Sequence, residues 1–373
     1  MAEQEEPKLG AQHGEAAGVQ GSVSRRLWEV ADEKCIPLGA TLELTLGCNL
    51  ACVHCYNFDR SAAAPRERTG KELSFEEIQS AIDQLAEAGC LYLSFTGGEA
   101  LVHPRLEELI RYARSKRFVV KLKTNGSLLT DETVRMLQDA GVAQIDVSVY
   151  GATPETHDAF TRRPGSHANT VAGVRRAVAA GIGVRVNMSL VRANVNEVDR
   201  MVELARDLGC TYGLDPFITA RQDGTTSSME ERIDRETLKT LYRGPLGRFL
   251  HGPDPSPDRS VQCACARSNV AISATGDVYP CIGAPIASGN IREQSFGEIW
   301  KDSPQLEWIR QLKLDDFETC KPCPDRGFCN RSSGVAYSNT GNYTGPEEFA
   351  CMDAAVRREL HEEQAEDSPD TPQ

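Results

Sequence analysis

Apolar and polar positions alternate in two rhythms along most of this chain. Leu42, Leu44 and Leu46 recur at every second position, the period of a strand with one buried face. Residues 74–88 change to helical spacing. Ser74 and Glu77 form a capping-box pair, and Ile78, Ile82 and Leu85 follow on one face. Residues 92–96 read as a second strand. Residues 104–116 read as its helix, with Pro104 in the first turn. Further strands are predicted at 119–124, 144–149, 183–190 and 211–217, with helices at 131–140, 169–180 and 196–207. A short helix over 24–33 precedes them, with Leu27, Val30 and Ala31 on one side. Six β–α units in succession predict an α/β fold, a parallel sheet with helices outside and a consistent hand. In such folds the chemistry collects at the C-terminal ends of the strands.

The rhythm loosens between 219 and 259, where Gly244, Pro245, Gly252, Pro253, Pro255 and Pro257 mark a connection. A cysteine-rich region follows. These changes divide the chain into a disordered tail (1–23), a core (24–235), a linker (236–258), a cysteine-rich domain (259–355) and a disordered acidic tail (356–373). No internal repeat is present.

The formal charge of −13 argues against non-specific nucleic-acid binding. Much of that charge lies in the tails, as at Glu3, Glu5 and Glu6. No stretch is long enough to span a membrane, and the N-terminus lacks the basic start and apolar core of a signal peptide. A cytoplasmic protein is expected. Thirteen cysteines, an odd number, then favour metal over disulfides. Cys35, Cys90 and Cys210 stand apart from any motif and read as small buried residues.

Three cysteines, Cys48-x3-Cys52-x2-Cys55, follow the first strand, and Gly97-Gly98-Glu99 follows the second. Three thiolates can hold three corners of a [4Fe–4S] cluster that normally takes four, leaving one iron open. A partial zinc site or three unrelated buried thiols are the alternatives. The spacing, with His54 and Tyr56 flanking Cys55, resembles the signature of the radical S-adenosylmethionine (radical SAM) enzymes. That resemblance implies a partial (β/α)6 barrel. It also implies that S-adenosylmethionine chelates the open iron and is reductively cleaved to a 5′-deoxyadenosyl radical, which abstracts hydrogen from a substrate. Gly97, Gly98 and Glu99 resemble the family element that meets the SAM amino group. Asn125, Ser148 and Asn187 fall at expected SAM-pocket positions. His54 is expected to offer its main chain to the adenine, with no role for its ring.

Cys263, Cys265, Gly276-x4-Cys281, Cys320-x2-Cys323-x5-Cys329 and Cys351 resemble the SPASM domain, which carries auxiliary iron–sulfur clusters. By that resemblance Cys320, Cys323, Cys329 and Cys351 hold an outer cluster, and Cys263 and Cys281, with or without Cys265, an inner one. The chain departs from the pattern at Ser332 and Ser333, where a further cysteine is usual. Cys265, a serine oxygen, water or substrate would then complete the inner site, or the cluster would be [2Fe–2S] or missing. A four-cysteine zinc knuckle is the alternative for the outer set.

Ile282 replaces the aspartate that follows the cysteine in the sulfatase-maturing branch, which disfavours that activity. The tract 336–351 is closer to the pyrroloquinoline-quinone and mycofactocin peptide maturases. The expected activity is modification of a ribosomally synthesised peptide, with auxiliary clusters as the electron sink. The alternatives are a small-molecule substrate (porphyrin, sugar or nucleoside) and a non-catalytic metal-binding scaffold. A reductant such as flavodoxin or ferredoxin is expected. So is a separate leader-peptide recognition protein, because the segment before the core is too short to hold one. Asp215, Arg221 and Asp223, after the last strand, are candidates to face the substrate.

Overall fold

The computed structural model describes residues 22–61, 70–250, 252–254 and 263–366. The expected N-terminal tail lies outside the described residues up to position 21, as do residues 367–373. Helix α1 (Ser22–Glu33) leads into β1 (Gly39–Glu43). There follow α2 (Phe75–Glu87), β2 (Tyr92–Thr96), α3 (Leu106–Ser115), β3 (Val119–Thr124), α4 (Asp131–Ala140) and β4 (Gln144–Ser148). Two helices, α5 (Pro154–Thr161) and α6 (Ser166–Ala179), precede β5 (Gly183–Ser189). Then come α7 (Val198–Asp207), β6 (Thr211–Asp215) and α8 (Arg235–Arg243). The cysteine-rich region holds β7 (Asn269–Ile272), β8 (Val278–Tyr279), α9 (Phe296–Asp302), α10 (Pro304–Gln311), α11 (Ser333–Thr340) and α12 (Glu348–Glu366).

All strands join one sheet in the order β6-β5-β4-β3-β2-β1-β7-β8. The six expected strands are parallel and lie in sequence order. This is the partial barrel. The alternating burial of β3 and β5 shows the strand period directly. The capping box of α2 forms as expected, with Ser74 accepting from Glu77 and Glu77 accepting from Ser74. Helix α3 begins later than expected: Pro104 lies before its N-cap residue, Arg105.

The cysteine-rich region is not merely appended. Strand β7 pairs in parallel with β1, so it extends the core sheet, and β8 folds back antiparallel on β7. Val270, Ile272, Phe296 and Ile299 share one core with Leu42, Phe95, Val120 and Leu137. Two expectations about the flanks are corrected. Residues 236–258 are not simply a linker: α8 begins in the core's last segment and buries Leu238, Leu241 and Tyr242. Its apolar face packs with Val356 and Leu360 of α12. Nor is 356–373 a tail throughout, since α12 runs to Glu366. Glu363 pairs with Lys239 at 3.0 Å and Arg243 at 2.8 Å, and Glu359 pairs with Arg235 at 2.8 Å. Glu359 and Glu363, read from the sequence as tail acidity, belong to one half of a charge-matched helix pair.

Candidate active site

The segment after β1 is held by backbone contacts before any ligand is considered. Gly98 N donates to Thr45 O at 2.7 Å, and Glu99 N donates to Gly47 O at 2.8 Å. A Cβ on Gly97 would lie 2.3 Å from Thr45 O, and one on Gly98 2.2 Å from Gly47 O. Gly97 also has a φ of 141°, so two glycines are required here by the chain's own backbone. From its far side Glu72 accepts from Leu46 N at 2.7 Å and from Thr45 Oγ1 at 3.1 Å.

Cys48, Cys52 and Cys55 sit half-buried on the loop so anchored. Leu50 N donates to Cys48 Sγ at 3.4 Å, and Arg60 Nε donates to Cys55 Sγ at 3.2 Å. Arg60 also reaches Leu46 O at 2.8 Å. The loop's other edge docks on the end of α5, through Ala51 N to Thr161 O and Val53 N to Phe160 O, both 3.1 Å. Burial raises the pKa of Cys48 and, with Cys55 and Cys48 nearby, that of Cys52. Such thiols ionise when a metal supplies the opposing charge. Among the described residues no three His, Cys, Asp or Glu side chains gather tightly enough for a single ion. A four-iron cluster offers each thiolate its own iron and does not require that. Three neighbouring thiols, two of which receive N–H donors, fit such a cluster.

His54 packs its ring against Tyr150 (4.8 Å between centroids) and Phe160 (4.7 Å). Burial, and then the charge of Arg221, pushes its pKa down to about 4, so the ring is neutral. Tyr56 donates to the buried Glu43 carboxylate at 2.7 Å.

The expected SAM-pocket residues come together at the strand ends, but two have internal duties. Glu99 is buried; its Oε1 accepts from Leu101 N at 2.9 Å and Thr124 Oγ1 at 2.7 Å, and its Oε2 from Asn125 N at 2.7 Å. It thereby ties the end of β2 to the end of β3. Asn125 donates to Asn49 Oδ1 at 2.8 Å and accepts from Ser127, linking the third strand end to the cysteine loop. Ser148 and Asn187 are register partners on β4 and β5 and stand side by side.

Arg221 is committed to the cysteine loop. It is buried, and its Nη2 donates to Val53 O at 2.8 Å, inside the cysteine loop. Asp223 closes its own turn by accepting from Thr225 N at 2.9 Å. Asp215 accepts from Phe217 N at 2.9 Å, and desolvation lifts its pKa to about 6. Sequence reasoning missed Gln222. Its N–H donates to Tyr56 O at 2.7 Å, and its Nε2 donates to Ile282 O at 3.0 Å. No local pattern marks it, because both partners are backbone oxygens distant in sequence.

Ile282 follows Cys281, a member of the second cysteine group. Cys265 and Cys281 are buried, and the Cys265 thiol lies within hydrogen-bonding reach of both Cys263 and Cys281. Donation from Cys265 lowers the pKa of Cys263, while the same contact raises that of Cys265. In the third group, Cys351 has Cys320 and Cys323 as charge neighbours, and Cys329 has Cys351 and Cys320. Arg331, buried, lies between the groups, with Cys320, Cys329 and Cys263 all acting on its charge. A buried cation between two thiol sets suits two anionic cluster sites. Of the cysteines outside these groups, Cys90 is buried as expected, and Cys35 and Cys210 are half-buried.

Comparison with known proteins agrees with this arrangement. Residues 42–205 match the radical SAM superfamily, and residues 263–324 match an iron–sulfur cluster-binding (SPASM) domain. The AdoMet-dependent heme synthase of Methanosarcina barkeri is 32% identical over 82% of this chain and 94% of its own length. The mycofactocin maturase MftC of Mycobacterium ulcerans is 29% identical over 82% of this chain and 85% of its own. The structure of anSMEcpe with bound AdoMet superposes with a TM-score of 0.63 at 17% identity, covering 88% of this chain and 94% of that one, which supports the fold. The chain belongs to the radical SAM superfamily: it is an enzyme that binds S-adenosylmethionine and a [4Fe–4S] cluster and carries an iron–sulfur SPASM domain.

Proposed function

We propose that the protein performs an oxidative radical modification of a ribosomally synthesised peptide. Cys48, Cys52 and Cys55 would hold the SAM-binding cluster. Gly97, Gly98, Glu99, Asn125, Ser148 and Asn187 would shape the SAM pocket, with Glu99 and Asn125 acting through the backbone they position. Cys320, Cys323, Cys329 and Cys351 would hold the outer auxiliary cluster, and Cys263, Cys265 and Cys281 the inner one. Bound there, the cluster and SAM supply a 5′-deoxyadenosyl radical, and the auxiliary clusters supply a sink for the electron that an oxidised product gives up.

The observation that carries the oxidative part is the bridge through Gln222, which touches the loop of Cys55 and the loop of Cys281 together. It holds the place where a substrate radical would form beside the place where its electron would go. The peptide part draws on the maturase relative. A porphyrin-like small molecule is the second reading, favoured by the heme synthase relative and its coverage. A low-potential reductant such as flavodoxin or ferredoxin would serve either reading, as would a cytoplasmic setting that keeps thiols reduced. A separately encoded leader-peptide recognition protein would serve the first. Among the described residues no helix is long and apolar enough to cross a membrane.

The test is anaerobic. The reconstituted enzyme, reductant and SAM are incubated with candidate precursor peptides or with a carboxylated porphyrin, and product masses are read. A peptide losing two hydrogens, with matching 5′-deoxyadenosine, supports the first reading. Mass change in the porphyrin alone supports the second. No SAM cleavage by fully loaded protein would leave a metal-binding scaffold.

A further inference from the structure

The inner cysteine group offers three thiols, and the nearby serines are committed elsewhere. Ser332 Oγ accepts from Val335 N as the cap of α11. Ser333 Oγ accepts from Arg331 Nη1 at 2.7 Å. A different side chain meets the group. The Tyr343 hydroxyl lies 3.7 Å from Cys263 Sγ, and the residue is only 4% exposed.

Several contacts fix that ring. Arg331 Nη2 donates to the Tyr343 carbonyl. Asn342 Oδ1 closes the next turn by accepting from Thr344 N and Gly345 N. Trp308 packs edge-on against the ring at 5.5 Å. The phenol is therefore placed by its neighbours, not drawn to the sulfur by chance flexibility.

Between a neutral thiol and a phenol either group could donate. A sulfur bonded to iron has no proton, so there the donor is the tyrosine. Hydrogen bonds to cluster sulfurs are among the factors that set reduction potential. A donor stabilises the more negative, reduced form and raises the potential.

We propose that Tyr343 tunes the inner auxiliary cluster by donating its O–H to the Cys263 sulfur, making that cluster a better electron acceptor. This rests on the reading that Cys263, Cys265 and Cys281 hold a cluster. Tyr343 acts through Cys263 and is a positioning residue, not a catalytic one.

The experiment is a redox titration of the reconstituted holoenzyme followed by electron paramagnetic resonance. Cys281→Ala identifies the inner signal as the one it loses. Tyr343→Phe keeps the ring and its packing but removes the hydroxyl. The expected result is an inner signal with a more negative midpoint potential, at unchanged iron content. Trp308→Leu loosens the ring's packing but keeps the hydroxyl, so its potential should fall between those of wild type and Tyr343→Phe. An unchanged potential in Tyr343→Phe overturns the proposal. So does a shift in Trp308→Leu larger than that in Tyr343→Phe, or loss of the inner iron in a folded Tyr343→Phe protein, which would make the phenol a ligand. If Cys281→Ala holds as much iron as wild type, the inner-cluster reading itself falls, and the proposal with it.

Discussion

Arg221 donates from Nη2 to the carbonyl oxygen of Val53 at 2.8 Å, joining the segment after the last barrel strand to the middle of the cysteine loop. Its Nη1 is held by Ser227 Oγ at 2.6 Å, so the guanidinium is a fixed strut. A buried charge-assisted hydrogen bond is worth about 1.5–3 kcal/mol. Arg221→Ala is expected to destabilise the protein by about that amount, and to lower iron retention at the SAM cluster. Denaturant midpoints and iron counts against Cys48→Ala, which removes a proposed ligand outright, would check this. Arg221→Ala retaining wild-type iron would show that the loop holds its shape without the strut.

Glu99 makes a sharper case, because the substitution can be nearly isosteric. Its two oxygens serve three donors: Leu101 N, Thr124 Oγ1 and Asn125 N. Glu99→Gln can keep one oxygen acceptor, but its amide then points N–H groups at a donor. The expected cost is about 1–3 kcal/mol from an unsatisfied buried group. SAM affinity is expected to weaken as the ends of β2 and β3 shift. Equilibrium binding of SAM to the reconstituted variant measures this. Wild-type affinity with wild-type stability would mean that the strand ends do not depend on the carboxylate.

Much of this site could be read from the sequence, for physical reasons that also explain what could not. The cysteine spacings and the Gly-Gly-Glu turn are local, so their chemistry is written in consecutive residues. The period of β3 is equally local, and its bounds, Val119–Thr124, agree with the expected segment. The pairing of β7 with β1 is not local. A four-residue strand such as Asn269–Ile272 carries little pattern, and its partner lies more than two hundred positions earlier. Arg221 looked like a loop charge because its acceptor is a backbone carbonyl, which has no sequence identity. Glu359 and Glu363 looked like tail acidity because Arg235, Lys239 and Arg243 stand on a helix far upstream.

The contact between Arg292 and Glu77 predicts a pH dependence. Arg292 forks onto Glu77 at 2.6 and 2.9 Å, and also donates to the carbonyls of Lys71, Glu72 and Thr275. The pair ties the start of α2 to the cysteine-rich region. The hydrogen bond from Arg292, with that from Ser74, lowers the Glu77 pKa from 4.5 to about 2. An unfolded chain titrates this carboxyl near 4.5, so below that pH it binds a proton the folded chain refuses. The stabilisation is full above the unfolded value and is lost as pH falls toward about 2. Partly exposed, the pair and its carbonyl contacts should contribute about 1–2 kcal/mol near neutrality. Arg292→Ala should therefore differ most from wild type at pH 7, and the gap should narrow on acidification. Urea midpoints of both proteins at descending pH would reveal it. A constant gap would assign the stabilisation to the carbonyl contacts alone.

Cys265 is buried against both Cys263 and Cys281, whereas Ser332 caps a helix and Ser333 binds Arg331. If Cys265 is a ligand of the inner cluster, Cys265→Ala should lose iron there while the outer group keeps its own. A thiol returned to the serine tract should then repair the loss. The double variants Cys265→Ala/Ser332→Cys and Cys265→Ala/Ser333→Cys test each position. The backbone N–H of Ser333 already reaches the Cys263 sulfur, so the tract is close enough to contribute. Ser332→Cys gives up a helix cap, at a cost of about 1 kcal/mol, so stability must be followed beside iron. Recovery of iron and of the inner resonance signal in either double variant is the expected result. Failure of Cys265→Ala to lose iron would remove Cys265 from the ligand set. It would leave Cys263 and Cys281 as the only two thiolates at that site.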